Sequence, residues 1–200
     1  VNPQISVITP TFRRPKYLLA LAQHMLNQHG VRFEHVIVSD GPDRQNYAVV
    51  KSYRERASFP VVYHEQEHKG GYGTFARTTG QKLAKGDYFV YFDDDNVFYP
   101  HALATLYAAA YGHVAGTALL EHWDYGVPTG RYVGDRVECG HIDAGCFCVR
   151  RDAALRVVWE NTTDDLYTGD YYFIAAVTRG IVNHVPVVIG SHMIEGPRVR

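Results

Sequence analysis

Strands and helices alternate without interruption through the first half of the chain, and few architectures accept that order. Ile5 to Thr9 is a β-branched run stopped by Pro10, and the segment from Lys16 to Gln28 carries Leu18, Leu19, Leu21, Ala22, Met25 and Leu26 at helical spacing. Phe33 to Ser39 repeats the strand signal, ends in Asp40-Gly41-Pro42, and gives way to a polar helical stretch through about Arg56. Pro60 to His64 reads as a third strand, Lys69-Gly70-Gly71-Tyr72-Gly73 as a flexible loop, Thr74 to Ala84 as a helix, and Tyr88 to Phe92 as a fourth strand. Short connections between such units imply right-handed crossovers and a mostly parallel sheet with helices on both faces. Ligands of such α/β sheets lie outside the carboxyl ends of the strands. Pro10-Thr11, Asp40-Gly41 and Asp93-Asp94-Asp95 all fall at those ends, so three loops are expected to converge on one rim.

The second half is less regular. After a helix from His101 to Tyr111 the pattern loosens into Val114 to Leu120, a Gly/Pro-punctuated stretch from Tyr125 to Gly134, and a strand-like Gly145 to Val149. A last helix begins near Gly169-Asp170 and runs to about Arg179, followed by a strand from Val182 to Ile189 and a loose tail. Gly190-Ser191-His192-Met193 looks like a cloning scar and is taken as native. The expected organisation is a single domain over residues 1–200, with a nucleotide-binding half at 1–97 and a small mixed acceptor-side region at 98–200 that covers the rim.

Bulk properties exclude several classes. The balance of 20 Lys+Arg against 21 Asp+Glu, a net charge of -1, supplies no basic field for nucleic acid, so an anionic ligand must be met locally. With 46% hydrophobic residues a sizeable core is affordable, yet no apolar run reaches the length of a membrane span and no signal-peptide order opens the chain. The expectation is a cytoplasmic protein, at most peripheral to a membrane, acting as a monomer or homodimer. Three cysteines are too few for a disulfide framework. Cys139, His141, Cys146 and Cys148 are four zinc-type ligands in one segment, but the usual two-residue knuckle spacing is missing, and reduced, buried thiols are the better reading. A GxGxxG dinucleotide fingerprint is also missing.

The chemistry concentrates where the aromatic run Tyr88-Phe89-Val90-Tyr91-Phe92 meets Asp93, Asp94 and Asp95. Adjacent carboxylates repel one another, and a fold that gathers them usually supplies a cation or a cation-bound ligand. Hard oxygen ligands of this kind suit Mn²⁺ or Mg²⁺, which bridge a protein to a diphosphate while keeping positions for water and phosphate. A solvated acidic turn is the plainer alternative.

The joint order of ISVITPTFRRP, HVIVSDGPD, Gly73-Thr74-Phe75-Ala76-Arg77-Thr78-Thr79-Gly80 before AKGDYFVYFDDDN, and Thr168-Gly169-Asp170-Tyr171-Tyr172-Phe173 resembles the family 2 inverting glycosyltransferases of GT-A fold, most of all the small spore-coat-polysaccharide type. The resemblance covers roughly residues 4 to 180. It implies a nucleotide site made by Thr9, Pro10, Thr11, Phe12, Arg14, Asp40, Arg77, Asp93 and Asp94. Pro10 and Phe12 line the uridine pocket there, Asp40 accepts the base N–H, Arg77 reaches the base or the acidic cluster, and Asp94 faces the ribose or sugar. It implies Asp95 as metal ligand, with Asp93 as the alternative and His192 as a second candidate. It also implies Asp143 and Gly145 on the acceptor side, and Asp170 as general base.

That set describes a metal-dependent hexosyltransferase moving sugar from a nucleoside-diphosphate sugar, UDP-linked by preference, to a hydroxyl of a glycan or other acceptor. Such a transfer needs a carboxylate to take the hydroxyl proton as oxygen attacks the anomeric carbon, and no covalent enzyme intermediate. Two other readings stand beside it. A nucleotidyltransferase of related fold requires a long glycine-rich, basic phosphate loop that the first loop lacks. A non-catalytic nucleotide- or carbohydrate-binding module has no use for Asp170.

Overall fold

The computed structural model of the chain describes residues 2–159 and 168–194. Its elements are β1 (Ile5–Thr11), α1 (Pro15–Leu26), β2 (Phe33–Asp40), α2 (Arg44–Arg56), β3 (Val61–Gln66), α3 (Thr74–Leu83), β4 (Tyr88–Tyr91), β5 (Val97–Phe98) and α4 (Ala102–Ala110). There follow β6 (Ala115–Asp124), β7 (Val127–Val133), β8 (Phe147–Arg150), α5 (Arg151–Ala154), α6 (Gly169–Thr178) and β9 (Asn183–Ile194). One sheet runs β3-β2-β1-β4-β8-β6-β9-β5, with β7 folded back onto β6. The first four strands are parallel. β8 enters antiparallel between β4 and β6, and β9 runs parallel to β6.

The apolar runs of β1 and β2 are near-continuous because both of their faces are covered. The Thr9 side chain meets His35, whose ring meets Tyr53 of α2, while Gly80 of α3 sits against Ile8 and Val38. Successive strand side chains point to opposite faces, so α2 and α3 lie on opposite sides of the sheet.

Two close approaches depend on glycine. A Cβ on Gly80 would fall 2.4 Å from Ile8 Cγ2, which brings α3 down onto β1. A Cβ on Gly116 would fall 2.2 Å from the Ala109 carbonyl carbon of α4, where no side chain can yield. Gly116→Ala is therefore expected to cost about 3 kcal/mol, at the upper end of overpacking effects, read as a fall in the urea midpoint with an unchanged slope.

The expected elements are present, mostly to within two residues, and three segments differ. β1 continues through Pro10 to Thr11. The Ile8 carbonyl accepts from Phe92 N, so the nitrogen of Pro10, two residues on, faces the same flank, where β4 has already ended and no ladder bond is lost. The stretch Tyr125 to Gly134 is mostly the second arm of a hairpin rather than loop. Asp124 pairs with Val127 across a two-residue turn in which Tyr125 and Gly126 both have positive φ, 49° and 78°. Pro128 is tolerated because β7 is paired on one side only and is exposed along most of its length.

The tail is the third correction. β9 extends to Ile194, with Ser191 opposite Glu121 of β6 and Val97 of β5, so Gly190-Ser191-His192-Met193 belongs to the sheet. A Cβ on Gly190 would lie 2.0 Å from the Val97 carbonyl oxygen, a contact only glycine permits.

Cys146 and Cys148 are buried in the core, and burial pushes both thiols up, whereas Cys139 is exposed. Among the described residues no group of three or more His, Cys, Asp or Glu is placed to hold a metal ion, so the cysteine segment forms no zinc site there. No helix among them is long and apolar enough to cross a membrane.

Candidate active site

The rim forms where β1, β2 and β4 end. Pro10 packs against the start of α3, where a Cβ on Gly73 would come within 3.0 Å of the proline ring; Gly73 itself has φ +83°. Phe12 stacks on His68, ring centroids 4.3 Å apart and 13° from parallel, and Arg13 lies 5.1 Å over the Phe12 ring. This aromatic step, with one face partly open, is the surface next to Asp40.

Asp40 itself is turned inward. Its carboxylate accepts from Gln66 Nε2 (2.7 Å), the amides of Lys69 (3.0 Å) and Gly70 (2.8 Å), and faces His68 Nδ1 at 2.9 Å. Burial works against its charge, but these donors and His68 hold the carboxyl below the usual range. Three hydrogen bonds thus hold the carboxylate inside the protein, and His68 Nδ1 also meets the Asp40 backbone carbonyl at 2.9 Å. In this structure Asp40 orders the glycine-rich loop.

Thr9, expected at the nucleotide, is instead part of the core. Its hydroxyl donates to the Phe92 carbonyl (2.8 Å) and meets His35 Nε2 at 2.9 Å; the other ring nitrogen meets Tyr53 Oη at 3.0 Å. The single hydroxyl hydrogen goes to Phe92, so His35 carries its proton on Nε2 and Nδ1 accepts from the phenol. This network ties α2, β2 and β1 to the residue just before the acidic run. Burial drives the His35 pKa down to about 3, against 6.5 for an exposed histidine. As pH falls through 6.5 the unfolded chain takes up a proton that folded His35 refuses, and stability is lost progressively toward pH 3. The stability difference between the native chain and His35→Gln should therefore shrink by about 2 kcal/mol from pH 6.5 to pH 5, measured by urea titration at each pH.

Two guanidiniums meet the three adjacent carboxylates. Arg77 Nη2 bonds Asp93 at 2.6 Å. Arg14 spans the other two, Nη1 to Asp94 at 3.0 Å and Nη2 to Asp95 at 2.8 Å. Asp94 is 3% exposed and also accepts from the Thr11 hydroxyl at 2.7 Å. It was expected on the ribose or sugar and is turned into the protein instead. Desolvation pushes its pKa up to about 7 despite Arg14. The Asp95 side chain is 14% exposed and that of Asp93 26%, so two of the three carboxylates keep access to solvent, and Asp95 shares it with the half-open Arg14.

The acceptor-side half supplies the facing wall. Asp170 lies in the first turn of α6, and its Oδ2 accepts from Ala144 N at 3.1 Å; Oδ1 makes no hydrogen bond among the described residues. Desolvation raises its carboxyl well above the usual range, Arg77 works against that rise, and Asp143 and Asp93 add to it. Asp143 accepts from Gly145 N at 2.8 Å and meets Asn96 Nδ2 at 3.5 Å and His192 Nε2 at 3.4 Å. Gly145 is held tightly, since a Cβ there would meet Leu120, Phe98 and Asp143 at 3.1 to 3.2 Å. The contacts of His192 run to Asp143 and, at 5.5 Å between centroids, to the His122 ring. None of them reaches Asp95, so His192 lies against Asp143 and not at the acidic turn.

Arg77 is the hub. Its guanidinium is buried, and the charges of Asp93, Asp170 and Asp143 together outweigh the desolvation that opposes it. Among the described residues Asp93, Asp94, Asp95, Asp143 and Asp170 face the two guanidiniums of Arg14 and Arg77 and the His192 ring beside Asp143, so the carboxylates outnumber the cations when all are ionised. Three contributors escaped sequence reasoning. His68 carried no signal. Asn96 adjoins the acidic run and Trp159 precedes the TGDYYF segment, so proximity to those motifs could have marked both.

An alternating nucleotide-type half, with a second half laying a helix carboxylate against its acidic turn, is the layout of GT-A glycosyltransferases. The chain belongs to glycosyl transferase family 2, whose profile matches residues 6–174. Glycosyltransferase GlyG of Streptococcus pneumoniae is 27% identical over 128 residues, covering 64% of this chain and 42% of that relative. Staphylococcus aureus TarS 1-349 in complex with UDP-GlcNAc superimposes with a TM-score of 0.74 at 18% identity, covering 97% of this chain and 60% of that one. The mannosyltransferase PcManGT from Pyrobaculum calidifontis, in complex with GDP-Man and Mn²⁺, gives 0.72 at 15% identity, covering 96% and 57%. At these identities the likeness is one of fold, and the chain spans less than two thirds of each of these proteins.

Proposed function

We propose that the chain catalyses inverting transfer of a sugar from a nucleoside-diphosphate sugar, UDP-linked by preference, to a hydroxyl of a glycan or other acceptor, with a divalent cation at Asp95. The observation that carries this reading is Asp170. It is a desolvated carboxylate, one oxygen of which has no hydrogen bond among the described residues, on the half opposite the acidic turn and within the charge field of the same arginine. Raised toward neutrality, it is suited to taking a proton from a neutral hydroxyl near physiological pH.

In this mechanism Phe12, His68 and Pro10 form the wall for the base. Asp170 Oδ1 accepts the acceptor's hydroxyl proton as that oxygen forms a bond to the anomeric carbon. The bond from that carbon to the diphosphate oxygen breaks, and the electron pair leaves with the nucleotide. Arg14, half-exposed beside Asp94 and Asp95, is placed to turn toward the diphosphate.

The residues fit a cation. The acidic turn has oxygen donors only, surplus negative charge and two partly exposed carboxylates, Asp93 and Asp95. An open site of one or two carboxylates completed by water and phosphate is the usual Mn²⁺ or Mg²⁺ arrangement. Bound there, the ion would supply Lewis-acid compensation for charge on the leaving diphosphate. PcManGT holds Mn²⁺ and GDP-Man, and TarS holds UDP-GlcNAc, in the same fold.

The test is release of nucleotide and sugar transfer from a panel of UDP- and GDP-sugars with Mn²⁺. Binding of UDP with neither hydrolysis nor transfer from any donor would favour a binding module. Asp95→Ala is expected to abolish the Mn²⁺ dependence of UDP affinity in calorimetry, whereas an affinity equal with and without Mn²⁺ in the native chain removes the metal from the proposal.

A further inference from the structure

Trp159 belongs to no recognised motif, yet it touches the three parts on which the site depends. Its ring, 3% exposed, lies flat on Phe173 with centroids 4.1 Å apart and 5° between planes. It meets Tyr91 edge-on at 4.9 Å and 71°. The Arg77 guanidinium carbon sits over the same indole, 4.9 Å from its centroid. Tyr91 closes β4 two residues before Asp93, and Phe173 follows Asp170 by three residues, on the same helical face.

The hydrogen-bond inventory of Arg77 shows what the indole adds. Nη1 donates to the Tyr72 carbonyl at 3.1 Å and Nη2 to Asp93 at 2.6 Å, while Nε is buried and has no partner among the described residues. Two bonds on one edge leave the guanidinium plane free to rotate about them, and a π face beneath it removes that freedom. The alternative, an arginine drawn toward Asp170, would tie up the carboxylate that must stay available.

We propose that Trp159 is a positioning residue for the transfer. Its ring holds Arg77 against Asp93 and, through Phe173, sets the first turn of α6 so that Asp170 faces the acidic turn at a fixed separation. The inference rests on Asp170 being the base, but concerns how the two halves are held in register. A mere core filler would explain the burial without any link to Arg77.

The test uses the full chain at a temperature where each variant is shown folded. Trp159→Leu is expected to lower kcat about 30-fold with UDP affinity changed less than about twofold, and Trp159→Phe, which keeps a flat face, to recover to within about fivefold of native. In combination with Arg77→Lys the losses should not multiply, because both act on one geometry. Losses that multiply overturn the proposal, as does a Trp159→Phe variant no better than Trp159→Leu. A readout independent of turnover separates this idea from the assignment of the base. In a Trp123→Phe background the remaining indole should shift its emission when Arg77 is replaced by Gln, and an unchanged spectrum overturns the contact even if transfer is observed. If the native chain transfers nothing while that shift is seen, the base assignment fails and the Trp159–Arg77 contact survives.

Discussion

Asp170→Asn is expected to bind UDP as the native chain does and to transfer almost no sugar. The substitution keeps volume and keeps an oxygen to accept from Ala144 N, so the start of α6 is not disturbed. What disappears is the proton acceptor, and a positioned general base contributes typically 10² to 10⁴ in rate, so kcat should fall about 10³-fold with UDP affinity within about twofold. The pH dependence gives a second check. Desolvation holds the Asp170 carboxyl above the ordinary carboxylate range, so it ionises only as pH rises toward neutrality, and native kcat should climb on an acid limb across that interval. Residual turnover in Asp170→Asn should lack the limb. Equal turnover in native and variant chains would remove Asp170 from the mechanism.

Arg77→Leu is the second large effect, and it falls first on stability. Removing one partner of a buried ion pair leaves the other as an uncompensated charge, at a typical cost of 3–5 kcal/mol. Asp93 keeps some solvent access, which argues for the lower end, about 3 kcal/mol. The damage should not stay at Asp93, because Asp170 and Asp143 lose the same positive field. Adding Asp93→Asn to Arg77→Leu removes the orphaned charge and should restore about half of the lost stability in urea titration. A double variant as unstable as the single would mean that the guanidinium acts through packing on Trp159 and not through charge.

The alternating half was legible because its signals are local. β-branched runs, a proline or Asp-Gly at each strand end, and helical spacing of leucines set β1, α1, β2 and the acidic turn without reference to distant residues. The second half was less so, because its strands are defined by partners. β7 carries a glycine and a proline and forms only as an arm of the β6 hairpin, and the last residues of β9 are a strand because Glu121 and Val97 lie beside them.

At the site, residue types were readable and directions were not. Asp93, Asp94 and Asp95 are indistinguishable in a sequence, yet one binds Arg77, one is buried under Thr11 and Arg14, and one meets Nη2 of Arg14 at the surface. Thr9 and Asp40 sit at the expected strand ends but spend their polar atoms on the core and the glycine loop. Such assignments depend on partners from segments 16 to 83 residues away, which no local pattern encodes.

Pro10 lies on the flank of β1 that β4 has vacated. Any other residue there would aim a main-chain amide hydrogen into the crevice as a permanent donor, insensitive to substitution elsewhere. With that hydrogen missing, this wall presents a hydrocarbon ring, and in the proposed site discrimination between one nucleobase and another would be left to exchangeable neighbours such as Phe12 and His68. A scaffold built this way can change its preferred donor by altering surface residues while the sheet beneath stays as it is.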